Sequence, residues 1–324
     1  MPLRIHIERS EKSMPVRMRA RLTGIILVLV FLGSAESLRA QEIVVTLLGT
    51  GSPTPAMDRF GPSTLVQAGT QILVFDVGRG AHQRLSQVSI AAGQVDAIFL
   101  THLHSDHIVG IPDVWLTGWL ISARTRPWNI FGPTGTIQMM ASLKQAFAVD
   151  LQVRVEENAG QLSAAGAQIN ARDIEPGVVY ERDGVRVTAI RVDHRAIAPA
   201  YGYRIDYRGR SVVLSGDTQV SPELIKAAAG TNLLIHEIYQ ASDAVLKQNP
   251  RTAVVKTFHV DAAEAGTVFQ QVRPKLAVYS HIVLRGVDLA EVIRRTRTSY
   301  AGPLAVGEDL MRFVIGEDVA VYRP

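Results

Sequence analysis

The chain has 324 residues, 47% hydrophobic and 20% charged, enough for one large α/β domain or two small ones. It contains no cysteine, which excludes disulfides, thiolate metal ligands and cysteine nucleophiles, so any metal must be held by imidazole and carboxylate. The formal charge of +4 belongs to the first forty residues, where seven Lys/Arg stand against three Asp/Glu. The remainder carries 27 of each sign, which argues against nucleic acid as a partner, since that usually calls for a net basic face.

In chain order, Arg17, Arg19 and Arg21 precede an apolar run from Ile25 to Leu32, then small residues and Leu38-Arg39-Ala40. A basic segment, a short apolar core and a small-residue exit predict a signal peptide over residues 1–40, and with it a periplasmic or secreted protein. The run is well short of the roughly 20 residues a membrane span needs. Residues 43–48 and 63–68 read as strands, with a Gly/Pro-rich loop between them from Gly49 to Pro62. Gln71 to Asp76 is a further strand, Gly80 to Val88 a helix, and Val95 to Leu100 a β-rich run that stops at Thr101-His102. Ile111 to Ala123 and Thr136 to Ala148 read as helices, and residues 150–192 as strand-like runs with turns, Val185 to Val192 being the clearest. A hairpin spans Tyr201 to Leu214. The runs Ser211–Leu214, Leu233–Ile235 and Leu276–Tyr279 lead into Asp217, His236-Glu237 and His281. Several short apolar runs thus end in His or Asp, where α/β sheets place their ligands. No repeat or linker divides residues 41–324, which read as a single domain.

The chemistry concentrates in Thr101-His102-Leu103-His104-Ser105-Asp106-His107. His102 and His104 suit one metal ion, while Asp106 and His107 reach a second. His194, Asp217 and His281, each at the end of its own apolar run, complete the candidate ligands. Imidazole with carboxylate and no thiolate suits zinc, with manganese or iron also compatible.

This His-x-His-x-Asp-His pattern resembles the metallo-β-lactamase superfamily, and the resemblance runs from about Val44 to the C-terminus. It implies a four-layer αβ/βα sandwich of two mixed sheets with outer helices and the site along one edge. It further implies two Zn²⁺, with His102, His104 and His194 on the first, Asp106, His107 and His281 on the second, and Asp217 between them. A metal-bridging hydroxide would be the nucleophile. Gly49-Thr50-Gly51, Asp76-Val77-Gly78, Phe131-Gly132-Pro133, Ser215-Gly216-Asp217-Thr218 and Ile235-His236-Glu237 are similar to the ribonuclease Z branch. By that resemblance Asp106, Glu237 and His259 are the catalytic candidates, Glu237 orienting His259, which contacts the anionic group or protonates the leaving group.

Three departures from the branch argue against tRNA as substrate. Only 22 residues separate His194 from Asp217, and the hairpin fills them, leaving no room for a gripping arm. Pro55 to Phe60 lacks the Lys and Asn of the loop that seats a tRNA end, and Arg79, Ala81 and His82 replace an acidic pattern. The stretches 200–218 and 274–281 resemble exported arylsulfatase-like members, so the leading expectation is an exported zinc hydrolase of small anionic sulfate or phosphate esters. A ribonuclease Z-type phosphodiesterase is the alternative and a lactonase a weaker one. Three features remain open: whether Asp261 puts an unwelcome negative charge near the substrate, whether Trp115, Trp119 and Trp128 line the cleft, and whether Arg79 and His82 contact an anion. A homodimer is compatible with the family's habit.

Overall fold

The computed structural model describes residues 42–158, 161–195 and 197–324; the expected signal peptide lies outside the described residues. Alternating and fully apolar runs build two sheets. The first places, side by side, β15 (Val319–Tyr322), β14 (Arg312–Ile315), β1 (Ile43–Gly49), β2 (Ser63–Ala68), β3 (Gln71–Phe75), β4 (Ala97–Phe99), β5 (Trp128–Gly132) and β6 (Ile169–Asp173). The second runs β13 (Leu304–Val306), β12 (Leu276–Arg285), β11 (Leu233–Ala241), β10 (Arg210–Leu214), β9 (Ala200–Tyr207), β8 (Val185–Val192) and β7 (Gly177–Arg182). Both sheets mix parallel and antiparallel neighbours, β10 with β11 and β11 with β12 being parallel, β9 antiparallel to β8 and to β10.

The inner faces of the two sheets share one apolar core. Phe75, Phe99 and Phe131 stack along the first sheet, and Tyr203 of the second meets Phe75 at 5.3 Å and Phe99 at 5.7 Å between ring centres. The outer face of the first sheet is covered by α1 (Ala81–Gln87), α3 (Ile111–Ile121) and α4 (Thr136–Ala146), after the short α2 (Ser105–Ile108). The outer face of the second is covered by α6 (Pro222–Ala228), α9 (Ala262–Val272) and α10 (Leu289–Thr296). Each sheet therefore buries both faces, which is the expected four-layer αβ/βα sandwich. Trp115, Trp119 and Trp128 are fully buried in this packing, each indole N–H donating to a backbone carbonyl between Ser163 and Ala167. They are core residues and do not reach the cleft.

Two local readings are corrected. Residues 150–157, expected within the strand-and-turn region of 150–192, belong to α5 (Ala148–Glu157). The alternation Leu151-Gln152-Val153-Arg154-Val155 imitates a strand. Helical spacing instead pairs Asp150 with Arg154 at 3.0 Å and Gln152 with Glu156 at 2.9 Å, and Val149 and Val153 lie on an exposed face. Likewise β11 and β12 do not stop at His236-Glu237 and Ser280-His281 but pass through them. Register jumps from His236 opposite Tyr279 to Ile238 opposite Ile282, so Ser280 and His281 together face Glu237. His281 takes the extra place with φ of 44°, and such a bulge re-aims a side chain that regular pleating would fix on one face.

Candidate metal centre

The site forms where strand ends of the two sheets meet. Three backbone hydrogen bonds fasten the edge: Tyr201 N–H to the Thr101 carbonyl (2.8 Å), Ile282 N–H to the Thr50 carbonyl (2.9 Å), and Val77 N–H to the His107 carbonyl (2.7 Å). Gly216 permits the turn that delivers Asp217. Its φ is 61°, and a Cβ there would sit 2.5 Å from the Tyr201 carbonyl oxygen.

Seven expected ligands converge. His102, His104 and His194 bring one ring nitrogen each into a common group, Asp106, His107 and His281 make a second, and Asp217 joins His102 and His107 in a third, all donor atoms within 4.8 Å of one another in each group. His102 Nε2 and His194 Nε2 lie 2.9 and 3.2 Å from His104 Nδ1. Asp217 Oδ2 is 3.3 Å from His281 Nε2, 3.5 Å from His107 Nε2 and 3.9 Å from both His102 and His194. The carboxylate thus stands between the two histidine sets. Asp106 Oδ2 lies 3.3 Å from His281 Nε2 and 3.7 Å from His107 Nε2, among the candidate ligand atoms.

Other contacts fix which ring nitrogen faces inward. His107 Nδ1 pairs with Asp76 Oδ2 at 2.8 Å, and His194 Nδ1 lies 3.0 Å from the Phe258 carbonyl. Asp76 also accepts from Thr101 N–H and Oγ1–H, both at 2.8 Å, and Thr101 Oγ1 lies 3.0 Å from His102 Nδ1. Such outer contacts set the tautomer and orient the ring. Sequence reasoning saw Asp76 only as part of a resemblance. Its local signal is the Asp-Val-Gly turn, where Asp76 takes φ of 56°, a region that Asp tolerates.

A pair of cations fits this donor set. His107 Nε2 and Asp217 Oδ1 are buried without a hydrogen-bond partner. Burial, and then the neighbouring histidines, holds His102 well below its ordinary pKa, and burial lowers His104 and His194, which favours neutral imidazoles with free lone pairs; at His107, burial is outweighed by Asp217 and Asp76, which raise it. For Asp217 burial opposes ionisation, but His281 and His107 overcome it and hold the carboxyl well below its usual range. Neutral imidazoles and ionised carboxylates are the states in which these groups ligate.

Beside the ligands, Glu237 and His259 meet as expected, Oε1 to Nδ1 at 3.3 Å. Glu237 Oε1 also accepts from the Val260 N–H at 3.0 Å, while Oε2 is buried without a partner. Burial disfavours a charged His259, yet the Glu237 carboxylate prevails and raises its pKa to about 9. Tyr239 stacks on the His259 ring at 5.4 Å and 16° between planes, and His281 lies on a parallel plane 6.1 Å away.

Asp261 carries no bare charge: its carboxylate caps α9 through the Ala263 and Glu264 N–H groups and pairs with Lys256 at 3.1 Å. His82 pairs with Asp113 at 3.1 Å and Arg79 reaches the Pro53 carbonyl at 3.4 Å; neither lines the cleft. Arg59 points inward, donating to Thr50 Oγ1 and the Gly307 carbonyl, both at 2.7 Å. Between His194 and Asp217, β9 and β10 form the expected hairpin, turning at Arg208-Gly209.

The family described as the beta-lactamase superfamily domain matches residues 65–282. Ribonuclease Z of Mycobacterium marinum is 36% identical over 274 residues, covering 83% of this chain and 98% of its own. Ribonuclease Z of Mycobacterium avium is likewise 36% identical over 274 residues, with 97% of its length covered. Among solved structures, the metallo-beta-lactamase fold protein YhfI of Bacillus subtilis aligns with TM-score 0.68 at 18% identity, covering 85% of this chain and all of its own. The short form of human tRNase Z aligns with TM-score 0.63 at 22% identity, covering 84% and 98%. These two structures share the fold.

Proposed function

This chain belongs to the metallo-β-lactamase superfamily, in its ribonuclease Z-like branch, and on that premise we propose a two-metal hydrolase of phosphodiester bonds. The observation that carries the reading is the Glu237–His259 pair set beside two ligand groups with Asp217 between them. His102, His104 and His194 would hold one zinc ion, and Asp106, His107 and His281 the other, with Asp217 between. When bound, such ions supply Lewis-acid activation of water and charge stabilisation at the phosphoryl oxygens.

The chain's own groups supply the rest. The Glu237 carboxylate, 3.3 Å from His259 Nδ1, keeps His259 protonated at neutral pH, and the imidazolium would donate a proton to the departing oxygen. A protonated donor is needed where the leaving group is a sugar hydroxyl, a poor leaving group. Arylsulfate cleavage with a phenolate departing needs it far less.

The leading expectation of an arylsulfatase and the argument against nucleic acid both give way here. Relatives at 36% identity along nearly their whole length bear the name Ribonuclease Z, and a net charge of zero does not prevent a local cationic surface. An RNA or nucleotide-type diester is therefore the proposed substrate class, and export of the chain is a proposal resting on the pattern of residues 1–40 alone.

The test compares bis(4-nitrophenyl) phosphate with 4-nitrophenyl sulfate on one zinc-loaded preparation, with and without chelator. Chelator-sensitive preference for the diester is expected. Preference for the sulfate would overturn the assignment. Asp217→Ala should lose both bound metal and turnover; retention of two metals and normal rates would refute the ligand scheme.

A further inference from the structure

The metal centre opens into a cleft of about 690 Å³, with His104, His194, Asp217, His259 and His281 on one side. Its other side comes from α7 (Asp243–Gln248), α8 (Pro250–Lys256) and the end of β12. His259 stands on the short turn, residues 257–260, that leads from α8 toward α9.

That turn is fastened from several directions. Lys256, the last residue of α8, pairs with Asp261 at 3.1 Å and Glu264 at 3.4 Å across its base. The Val260 N–H donates to Glu237 Oε1 at 3.0 Å, and the Val260 carbonyl accepts from the Tyr239 N–H at 3.0 Å. The Phe258 and His259 N–H groups reach back to the Val255 and Lys256 carbonyls, each at 3.3 Å.

Phe258 sits between these anchors and touches two histidines of the site. Its carbonyl accepts from His194 Nδ1 at 3.0 Å, and its ring meets the His194 ring edge-on, 5.6 Å between centres and 82° between planes. The same ring lies 5.5 Å from His259, which is itself 4.9 Å from His194. Edge-to-face contact is directional, so the ring sets the tilt of the imidazole while the carbonyl sets which nitrogen turns inward. His102 and His107 take their outer partners from Thr101 and Asp76, beside the ligand cluster. His194 takes its partner from the residue that precedes the proton donor, so a shift of the turn moves ligand and donor together. Phe258 is half-buried on the cleft lining, outside the two large apolar cores of the second sheet, so core packing does not demand an aromatic ring there.

We propose that Phe258 is a positioning residue that couples one metal position to the proton donor, holding His194 as a ligand and His259 in its aim with a single side chain and carbonyl. This rests on the two-metal phosphodiesterase reading above and deepens it.

The experiment titrates zinc into the full chain by competition with a chromogenic chelator, in His281→Ala and in His104→Ala, each with and without Phe258→Leu. Leucine keeps apolar bulk and removes the ring. Zinc affinity should fall about 10-fold on Phe258→Leu in the His281→Ala background, where the remaining ion sits with His194. It should change less than about twofold in the His104→Ala background, where the remaining ion sits with Asp106, His107 and His281. With both positions saturated, Phe258→Leu should lower kcat about 10-fold on diphenyl phosphate, whose phenolate departs poorly, and little on bis(4-nitrophenyl) phosphate. Phe258→Tyr should restore both values, and Val254→Ala, at an exposed position of α8, should alter neither. On the wild-type protein, zinc loading should slow amide hydrogen exchange across residues 257–260. Zinc affinities that fall equally or not at all in the two backgrounds, equal kcat losses on the two diesters, no rescue by Phe258→Tyr, or exchange indifferent to zinc would each overturn the coupling. Turnover of neither diester by the wild type would remove the phosphodiesterase reading, whereas the zinc titrations would still decide the hold of Phe258 on the ion beside His194.

Discussion

His107 and Asp76 are 31 positions apart in the chain and 2.8 Å apart in the fold, imidazole Nδ1 against carboxylate Oδ2. The same carboxylate accepts two hydrogen bonds from Thr101, the residue before the first histidine of the ligand cluster. One buried side chain just past the end of β3 therefore braces both His107 and, through Thr101, His102.

Removing the charge of Asp76 without removing its shape tests this arrangement. Asp76→Asn retains a residue that tolerates the positive φ but weakens the basicity and orientation of His107. Zinc affinity should fall about 10–100-fold, measured by competition with a chromogenic chelator, while the far-ultraviolet circular dichroism stays that of the wild type. Wild-type affinity in the variant would show that the contact is dispensable.

The Glu237–His259 pair makes a prediction in pH. His259 has a folded pKa of about 9, above the ordinary value near 6.5, so it is protonated at neutral pH and loses its proton as pH rises through 9. The stability contributed by the pair follows the same sign: it is complete below about pH 6.5 and lost as pH rises through 9. Turnover on a diester with a poor leaving group should fall along a basic limb near 9. Glu237→Gln should move that limb to lower pH, because burial is then opposed chiefly by Asp217 alone. His259→Ala should lower kcat by about 10²–10⁴-fold with both metals still bound. A basic limb unmoved by Glu237→Gln, or full turnover in His259→Ala, would dismiss His259 as the proton donor.

A third prediction concerns the loop that borders the cleft. Asp309 is buried and accepts from Thr50 N–H (2.9 Å), Thr50 Oγ1–H (2.8 Å), Phe60 N–H (2.7 Å) and Arg84 Nη2–H (2.9 Å). It ties both ends of residues 50–60 to α1 and to the turn before β14. Asp309→Ala leaves the partly buried Arg84 without its counter-charge and removes three further hydrogen bonds, and should cost about 3–5 kcal/mol. Thermal unfolding should drop by roughly 10 °C on that basis. A fall of less than 2 °C would show that the loop is held by other contacts.

The sequence by itself determined which donors are available. No cysteine, a tight cluster of three histidines and an aspartate after a β-rich run, and single His or Asp residues at the ends of later runs leave imidazole and carboxylate as the candidate ligands. Period-two and period-3.6 patterns likewise indicated most elements that pack on both faces, because burial imposes those periods. Where burial is weak the signal fails: α5 has no buried residue, and its alternating Leu151 to Val155 reads as a strand. Only the tertiary structure decided the contacts between elements far apart in sequence. Asp76 beneath His107 and the bulge that turns His281 toward Asp217 both depend on how strands distant in sequence are set side by side. The indoles of Trp115, Trp119 and Trp128 make the same point in reverse. Their nearness to the metal motif in sequence carries no weight, because α3 and β5 turn them into the core behind the first sheet.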